Sequence, residues 1–306
     1  MGNLYAIGES LIDLIFRDNK PVAAMPGGSS LNTCITLGRL GTPVYFISEY
    51  GYDPAGEIIH SFLADNHVRC DHVSRFRNGQ TAIALAFLDR ENNARYSFYK
   101  NYPAQRLPVK IPDFHPGDIL LFGSFYALTG EVRPALTQIL HKARDQGATI
   151  LYDPNIRKSH KDELDALRPF IRENISFADL IRGSDEDFLH IFGSRNPQES
   201  FDALGNNHKI LIYTASSNGV TFISGKGSRV YPVPSITPVS TIGAGDSFNA
   251  GIAYNLHREG CTGHPPGYDL CFWDRAIEQS ITLATQVCLS YENYISREMA
   301  GKMMEQ

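Results

Sequence analysis

Apolar segments of strand length alternate with segments of helical periodicity along most of the chain, and this alternation constrains the fold most. Strands are predicted at 4–8, 44–47, 119–123, 149–153, 179–182 and 209–214. Helices are predicted at about 30–40, 55–66, 131–146, 161–174, 185–192, 246–258 and 273–289. Short apolar strands that alternate with helices form a mostly parallel sheet with helices on both faces. The sequence therefore predicts an α/β fold.

One region breaks the alternation. Segments 81–89 and 94–100 flank the turn-rich stretch 90–93, which predicts an antiparallel hairpin. Together with 11–16 and 21–25 it would form a small separate sheet, and an extension of the large sheet is the alternative. A small sheet beside a ligand cleft is suited to act as a lid, because closure excludes water.

We therefore predict a single domain, 1–306, with a lid of about 11–25 and 68–104 inserted in it. Ile83, Leu85 and Phe87 alternate on one side of a predicted lid strand. An apolar lid face suggests a homodimer formed through the lid.

Composition excludes several classes of function. The chain has 306 residues, 42% of them hydrophobic, which suffices for a large core. Its net charge of −5 without a basic block argues against nucleic acid as a partner. Five scattered cysteines without a Cys-x-x-Cys pair indicate neither a zinc site nor a disulfide framework. His257 and His264 flank a Gly/Pro-rich loop and are expected on the solvated surface. Because no signal peptide or membrane-length apolar run is evident, a cytoplasmic protein without a membrane partner is expected.

The stretch 241–248 carries the strongest chemical signal. Gly243, Ala244 and Gly245 precede Asp246, which opens a predicted helix with an apolar face. Backbone N–H groups at such a helix start can bind phosphate oxygens. A carboxylate there would repel a permanently bound phosphate, but it can take the proton of a hydroxyl that attacks phosphorus. The motif therefore suggests phosphoryl transfer to an alcohol.

The glycine turn has other interpretations. It can be a tight connection in which an acid simply favours the first helical turn. A dinucleotide fingerprint would require glycine where Phe248 stands. A P-loop is absent too, because around Gly225-Lys226 the first required glycine falls on Val220.

A second group of residues lies near the N-terminus. Gly27 and Gly28 precede a predicted helix and allow close approach of the backbone to a ligand. Asn32 can donate and accept hydrogen bonds, as recognition of a hydroxyl requires. Asp13 is an acceptor suited to sugar hydroxyls. Taken singly, these are also ordinary turn, cap and surface residues.

Together, the two groups resemble the signatures of the ribokinase-like (phosphofructokinase-B type) carbohydrate kinases. The N-terminal signature is matched by Gly27, Gly28, Asn32, Gly41 and Gly51, and the C-terminal one by 240–253. The stretch 153–157, Asp-Pro-Asn-Ile-Arg, is similar to an Asp-x-Asn-x-Arg element of many members. The resemblance implies a Rossmann-like domain with a β-sheet lid, ATP as donor and Mg²⁺. It is greatest to fructokinases and 2-keto-3-deoxygluconate kinases.

The resemblance also implies residue roles. Asp246 would be the general base, and the amides of Gly243, Ala244 and Gly245 would hold the charge on the transferred phosphoryl group. The sugar would be bound by Asp13, Gly27, Gly28, Asn32, Phe98, Lys100 and Arg157. ATP would be bound by Asn155, Ser184, Asp187, Thr214, Gly219, Gly243 and Gly245. Asp187 or Glu186 would contact the metal through water.

Four positions depart from the family pattern. Asp187 replaces a glutamate of the metal-organising element and is one methylene shorter. Ser240 stands where an acid often precedes the glycine motif, which leaves a monovalent cation in doubt. Ser216 replaces a glycine of the nucleotide loop. Lys100 lacks the planar fork of the arginine that fructokinase-like relatives often carry.

Fructose is the leading acceptor predicted from the sequence, with a 2-keto-3-deoxygluconate kinase as the close rival. An acidic sugar would require a cation near its carboxylate, and Lys100, Arg106 and Arg157 are candidates. Nucleoside and phosphosugar kinases are disfavoured, because neither an aromatic clamp beside Asp13 nor a lid cluster of cations is evident. A non-catalytic sugar-binding regulator is the alternative from another class, and the retained Asp246 argues against it.

Overall fold

A computed structural model describes residues 2–88, 94–156, 163–205, 208–260 and 270–305, and contains two sheets. The strands of the large sheet are β1 (Leu4–Ile7), β4 (Val44–Gly51), β5 (Arg69–Phe76), β8 (Ile119–Gly123), β9 (Thr149–Asp153), β10 (Leu180–Ser184), β11 (Ile210–Thr214), β12 (Val220–Ser224) and β13 (Gly227–Tyr231). The small sheet contains β2 (Leu11–Arg17), β3 (Lys20–Gly27), β6 (Gln80–Leu88) and β7 (Ala94–Asn101).

The helices are α1 (Ser29–Arg39), α2 (Pro54–Asp65), α3 (Arg133–Asp145), α4 (Leu164–Phe177), α5 (Asp185–Phe192), α6 (Pro197–Ala203), α7 (Ala244–Arg258), α8 (Leu270–Cys288) and α9 (Arg297–Met304). Local sequence explains several of their ends. Asp53 caps α2 by accepting from the N–H of Gly56, and Pro54 occupies the first turn. Gly193 ends α5 in the left-handed conformation.

The large sheet has the order β13-β12-β11-β10-β9-β8-β1-β4-β5. Its described strands pair in parallel from β11 to β5, and the β11–β12 and β12–β13 pairs are antiparallel. Side chains of β1 alternate between two cores: Leu4 and Ala6 pack with residues of α1, α2, α7 and α8, and Tyr5 and Ile7 with residues of α3, α4 and α5. Helices therefore cover both faces, which confirms the predicted α/β fold.

Strands β1 and β8 lie side by side in the centre of the large sheet. From β1 the chain continues to β4 on one side, and from β8 it continues to β9 on the other. Ligands of open parallel sheets bind at such a reversal, outside the carboxyl ends of the strands. The fold therefore places a crevice after Ile7 and Gly123.

The small sheet has the order β3-β2-β6-β7 and includes the predicted hairpin, β6 with β7. Strand β2 pairs with β3 antiparallel and with β6 in parallel. The predicted lid range of about 68–104 was wrong at its start, because Arg69–Phe76 pairs with β4 and forms the edge of the large sheet. The tip of the hairpin, 89–93, lies outside the described residues.

The two histidines expected on the solvated surface are His257 and His264. This expectation is wrong for His257, which is buried. Its Nε2 lies 3.0 Å from the carbonyl oxygen of Gly2. His264 lies outside the described residues. Among the helices that the structure describes, none has the length and apolar character required to cross a bilayer.

Candidate active site

The carboxylate of Asp246 lies in the first turn of α7 and is only 8% exposed. Two side chains at the start of α1 hold it. Ser29 Oγ donates to Asp246 Oδ1 at 2.5 Å, and Asn32 Nδ2 donates to Oδ2 at 2.8 Å. In addition, Thr33 Oγ1 donates to the carbonyl oxygen of Asp246 at 3.1 Å. Asp246 is thus fixed at the junction of α1 and α7, one oxygen facing each donor.

The N-terminus of α7 offers backbone donors beside this carboxylate. Gly243 precedes α7 with φ of 80°, and a Cβ there would lie 2.0 Å from the carbonyl oxygen of Asn293. Within the described part of the chain, no side chain caps this helix end. The N–H groups of the first turn, including Gly245, have no partner inside the helix by geometry. Their orientation and the helix dipole suit a phosphate group.

A cation lies against the same helix start. A Cβ on Gly245 would approach Nη1 of Arg182 to 2.8 Å, so a side chain there would displace this guanidinium from the helix start. Arg182 Nη1 also donates to Asp153 Oδ2 at 3.0 Å, and its Nη2 donates to Thr214 Oγ1 at 3.1 Å. Asp153 Oδ2 accepts a further bond from Asn249 Nδ2 at 2.6 Å. A buried carboxylate and a threonine thus aim one positive charge at the glycine turn.

The predicted nucleotide residues lie at the neighbouring strand ends. Ser184 and Thr214 are paired at the carboxyl ends of β10 and β11. Asn155 has φ of 44°, and its N–H donates to Asp153 Oδ1 at 3.1 Å. Gly219 has φ of 96° in the turn before β12, where a Cβ would lie 2.5 Å from the carbonyl oxygen of Tyr231. These positions follow the same edge of the sheet as Arg182.

Asp187 is engaged in the local structure. Its Oδ2 accepts from the N–H and Oγ of Ser184 at 2.7 and 2.6 Å, and Oδ1 accepts from the N–H of Ile156 at 2.6 Å. Burial, and then the nearby charge of Asp153, raise the pKa of Asp187. Glu186 is exposed. In the described residues, no group of three His, Cys, Asp or Glu side chains can hold a metal ion. This donor set fits a Mg²⁺ ion that keeps most of its waters, and Asp187 or Glu186 would contact such an ion through water.

The predicted sugar residues lie on the small sheet and at the start of α1. A Cβ on Gly27 would lie 2.0 Å from Asp13 Oδ2, so this glycine leaves space for the carboxylate. Gly28 has φ of 126°, and a Cβ there would lie 2.2 Å from the carbonyl oxygen of Glu9. Asp13 pairs with Ala84, and Ala84 with Phe98, so the three residues form one row across the small sheet.

Lys100 is engaged by an acid that was not predicted in this role. Its Nζ lies 2.9 Å from Glu9 Oε2, and Tyr102 donates to Glu9 Oε1 at 2.7 Å. Glu9 follows β1, so this pair links the small sheet to the large one. Arg106 likewise donates to the buried Glu49, at 2.6 Å. Arg157, predicted in the substrate site, lies outside the described residues.

The profile of pfkB family carbohydrate kinases matches residues 1–287. The chain belongs to this family. A fructokinase of Rhizobium leguminosarum bv. trifolii is 31% identical over 262 residues, which cover 81% of this chain and 78% of that protein. An aminoimidazole riboside kinase of Salmonella typhimurium is 24% identical over 267 residues, 86% of this chain and 84% of that one. The structure of a Vibrio cholerae O395 fructokinase with fructose, ADP and calcium ion bound superimposes with a TM-score of 0.86, at 20% identity and 99% coverage of both chains.

This pfkB kinase brings together one group of the residues predicted for its site. Asp246, the glycine turn, Asn32 and the Gly27-Gly28 pair converge where α1 and α7 begin. Sequence reasoning did not assign roles to Ser29, Arg182, Asn249 and Glu9. Arg182 and Glu9 are charged residues at or near the carboxyl end of an apolar strand, and this position could have indicated that they belong to the site.

Proposed function

We propose that this protein transfers the γ-phosphoryl group of ATP to a hydroxyl of a small neutral sugar, with fructose as the first candidate. The observation that carries the proposal is the carboxylate of Asp246, held by Ser29 and Asn32 at the N-terminus of α7, with Arg182 beside it. A regulator that only bound sugar would require neither a fixed base nor a cation at an amide-lined turn.

Each group has a role in the proposed reaction. The sugar hydroxyl gives its proton to Asp246 while its oxygen bonds to the γ-phosphorus, and the bond from that phosphorus to the oxygen of ADP breaks. The backbone amides at Gly243 to Gly245 and the guanidinium of Arg182 stabilise the charge on the transferred group. Mg²⁺, when bound, would neutralise phosphate charge. A positioned base typically contributes ~10²–10⁴ in rate.

Charge at the sugar side favours a neutral acceptor. Lys100 and Arg106, two of the three cations considered for an acidic sugar, each already bind a carboxylate, Glu9 and Glu49. With Lys100 and Arg106 already neutralised in this way, neither compensates the carboxylate of 2-keto-3-deoxygluconate. The fructokinase relative at 31% identity supports fructose. Aminoimidazole riboside, the substrate named for another relative, is also neutral and is the second candidate.

We also propose a homodimer formed through the small sheet. Ile83, Leu85 and Phe87 lie on one face of β6 and are only partly buried, and Phe16 of β2 stacks on Phe87 at 5.0 Å between ring centroids. Sedimentation that shows only monomer at micromolar concentration would reject the dimer.

A cytoplasmic setting is proposed because ATP is the donor, and because the cysteines within the described ranges are unpaired thiols.

The test is release of ADP with ATP, Mg²⁺ and a panel of ketoses, aldoses, sugar acids and aminoimidazole riboside. We expect turnover with fructose and a loss of at least ~10²-fold in kcat for Asp246→Asn, with sugar binding by calorimetry retained. Asp145→Asn, at an exposed aspartate of α3, is the matched control and keeps full activity. Near wild-type turnover by Asp246→Asn would refute the assignment of the base.

A further inference from the structure

A small cavity lies at the carboxyl edge of the large sheet, where β1 and β8 adjoin. Its volume is about 20 Å³, and its polar lining includes Ser29, Ser124, Asp153 and Asn249. A space of this size holds one water molecule or one hydroxyl group. Ser29 also donates to Asp246, so the cavity adjoins the proposed base.

The backbone at one wall of this cavity is strained. Ser124 has φ of 53° and ψ of −174°, a conformation used almost only by glycine. Its N–H donates to the carbonyl oxygen of Asp153 at 2.8 Å. The preceding Gly123 has no space for a side chain, because a Cβ would lie 1.8 Å from the same oxygen. Strain of this kind is concentrated at ligand sites.

A buried acceptor at the cavity has unused hydrogen-bonding capacity, and a serine hydroxyl lines the same space. Asn249 is 4% exposed and donates its Nδ2 to Asp153 Oδ2, which fixes the orientation of the amide. Its Oδ1 is buried and has no hydrogen-bond partner among the residues that the structure describes. Ser124 is half-buried in the cavity lining, and its hydroxyl can donate one hydrogen bond. Buried acceptors of this type are nearly always satisfied in a working protein.

We propose that a second hydroxyl of the acceptor sugar, not the one phosphorylated, occupies this cavity. This sugar hydroxyl donates a hydrogen bond to Asn249 Oδ1 and accepts one from Ser124 Oγ, so it acts as both donor and acceptor. The sugar then spans from Asp246 to Ser124, so that binding at one end positions the reacting hydroxyl at the other. This assignment of a specificity-determining residue rests on the sugar kinase function proposed above.

The test compares the preferred sugar with its monodeoxy analogues in wild-type enzyme and in Ser124→Ala. We expect one analogue to lose about five- to tenfold in kcat/KM with wild-type enzyme, and Ser124→Ala to lose a similar factor with the parent sugar. For that analogue, Ser124→Ala causes no further loss, because the same hydrogen bond is already absent. If Ser124→Ala lowered kcat/KM by the same factor for every analogue as for the parent sugar, no sugar hydroxyl would bond to Ser124. A water molecule would then occupy the cavity, and the proposal would be overturned.

A glycine variant separates strain from recognition. Ser124→Gly relieves the backbone, so Tm is expected to rise by about 2 °C, while kcat/KM falls as in Ser124→Ala. Ser176→Ala, at an exposed serine of α4, is the matched control and changes neither quantity. A higher Tm with unchanged kcat/KM would show a purely structural residue. Absence of sugar-dependent ADP release by wild-type enzyme would instead refute the kinase function itself.

Discussion

Asn32 Nδ2 donates a hydrogen bond to Asp246 Oδ2 across 2.8 Å, although 214 positions separate the two residues. The contact joins the first turn of α1 to the first turn of α7. Asn32 was predicted to bind the sugar, and in the structure its amide donates to the proposed base. Its Oδ1 is buried and unpaired in the described chain, so this oxygen is the part of Asn32 that can accept from a substrate hydroxyl.

Substitution of Asn32 tests this contact. Asn32→Ala removes one donor, and we expect kcat to fall about tenfold. Asn32→Asp has the same shape, but two carboxylates this close cannot both ionise and must share a proton, so the fall is expected to reach ~10²-fold. Steady-state kinetics with calorimetric sugar titration measure both effects. Equal activity of the two variants would contradict the role of Asn32 as a donor to the base.

The two glycines of the 243–245 turn are expected to respond differently to alanine. Gly243→Ala forces a side chain into the left-handed region and against a fixed carbonyl, so the free energy of unfolding should fall by about 2 kcal/mol or more. Gly245→Ala meets only the end of the Arg182 side chain, so we expect little change in Tm and about a tenfold loss in kcat. Thermal unfolding and kinetics of the two variants distinguish these outcomes, and a large loss of Tm for Gly245→Ala would be inconsistent with this geometry.

The fold was predictable where local periodicity reports burial on both faces of the sheet. The central strands are short and fully apolar, such as Ile119–Gly123, and their pattern was sufficient. Strand β5 and strand β13 were not predicted, because both contain exposed polar residues at the edges of the sheet. At an edge, backbone pairing with one neighbour decides the structure, and a single sequence carries little sign of it.

The site was predictable only where its chemistry is local in sequence. The glycine turn and Asp246 are contiguous, so spacing alone indicated an anion site with a base. Ser29 and Asn249 act on residues 217 and 96 positions away, and nothing in their own neighbourhoods records these contacts. Likewise, Lys100 was considered as a substrate ligand without its partner Glu9, which lies 91 positions earlier.

The burial of His257 predicts a pH-dependent term in stability. Burial lowers the pKa of this imidazole below its ordinary value of 6.5, and the contact to the carbonyl oxygen of Gly2 opposes the shift. Because the folded-state pKa is depressed, the unfolded chain binds the proton more readily. This contribution is therefore complete above about pH 6.5 and is lost as pH falls through the folded-state pKa. His257→Gln retains a donor and should flatten the decline of Tm between about pH 7 and pH 5. An unchanged Tm profile would show that His257 does not supply this term.

The ion pair between Lys100 and Glu9 predicts how the sugar site responds to salt. Its side chains are 35% and 18% exposed, so the coupling between them should be modest, about 0.5–1 kcal/mol. We expect Lys100→Met to raise KM for a neutral sugar about threefold. In the wild-type enzyme, 0.5 M NaCl should raise the same KM by a similar factor, because salt screens the ion pair. A double-mutant cycle with Glu9→Gln isolates the pair, since the second substitution should cost little once the first is made. If Lys100 instead bound the carboxylate of an acidic sugar, its loss would raise KM for that sugar by ~10²-fold and leave neutral sugars almost unaffected.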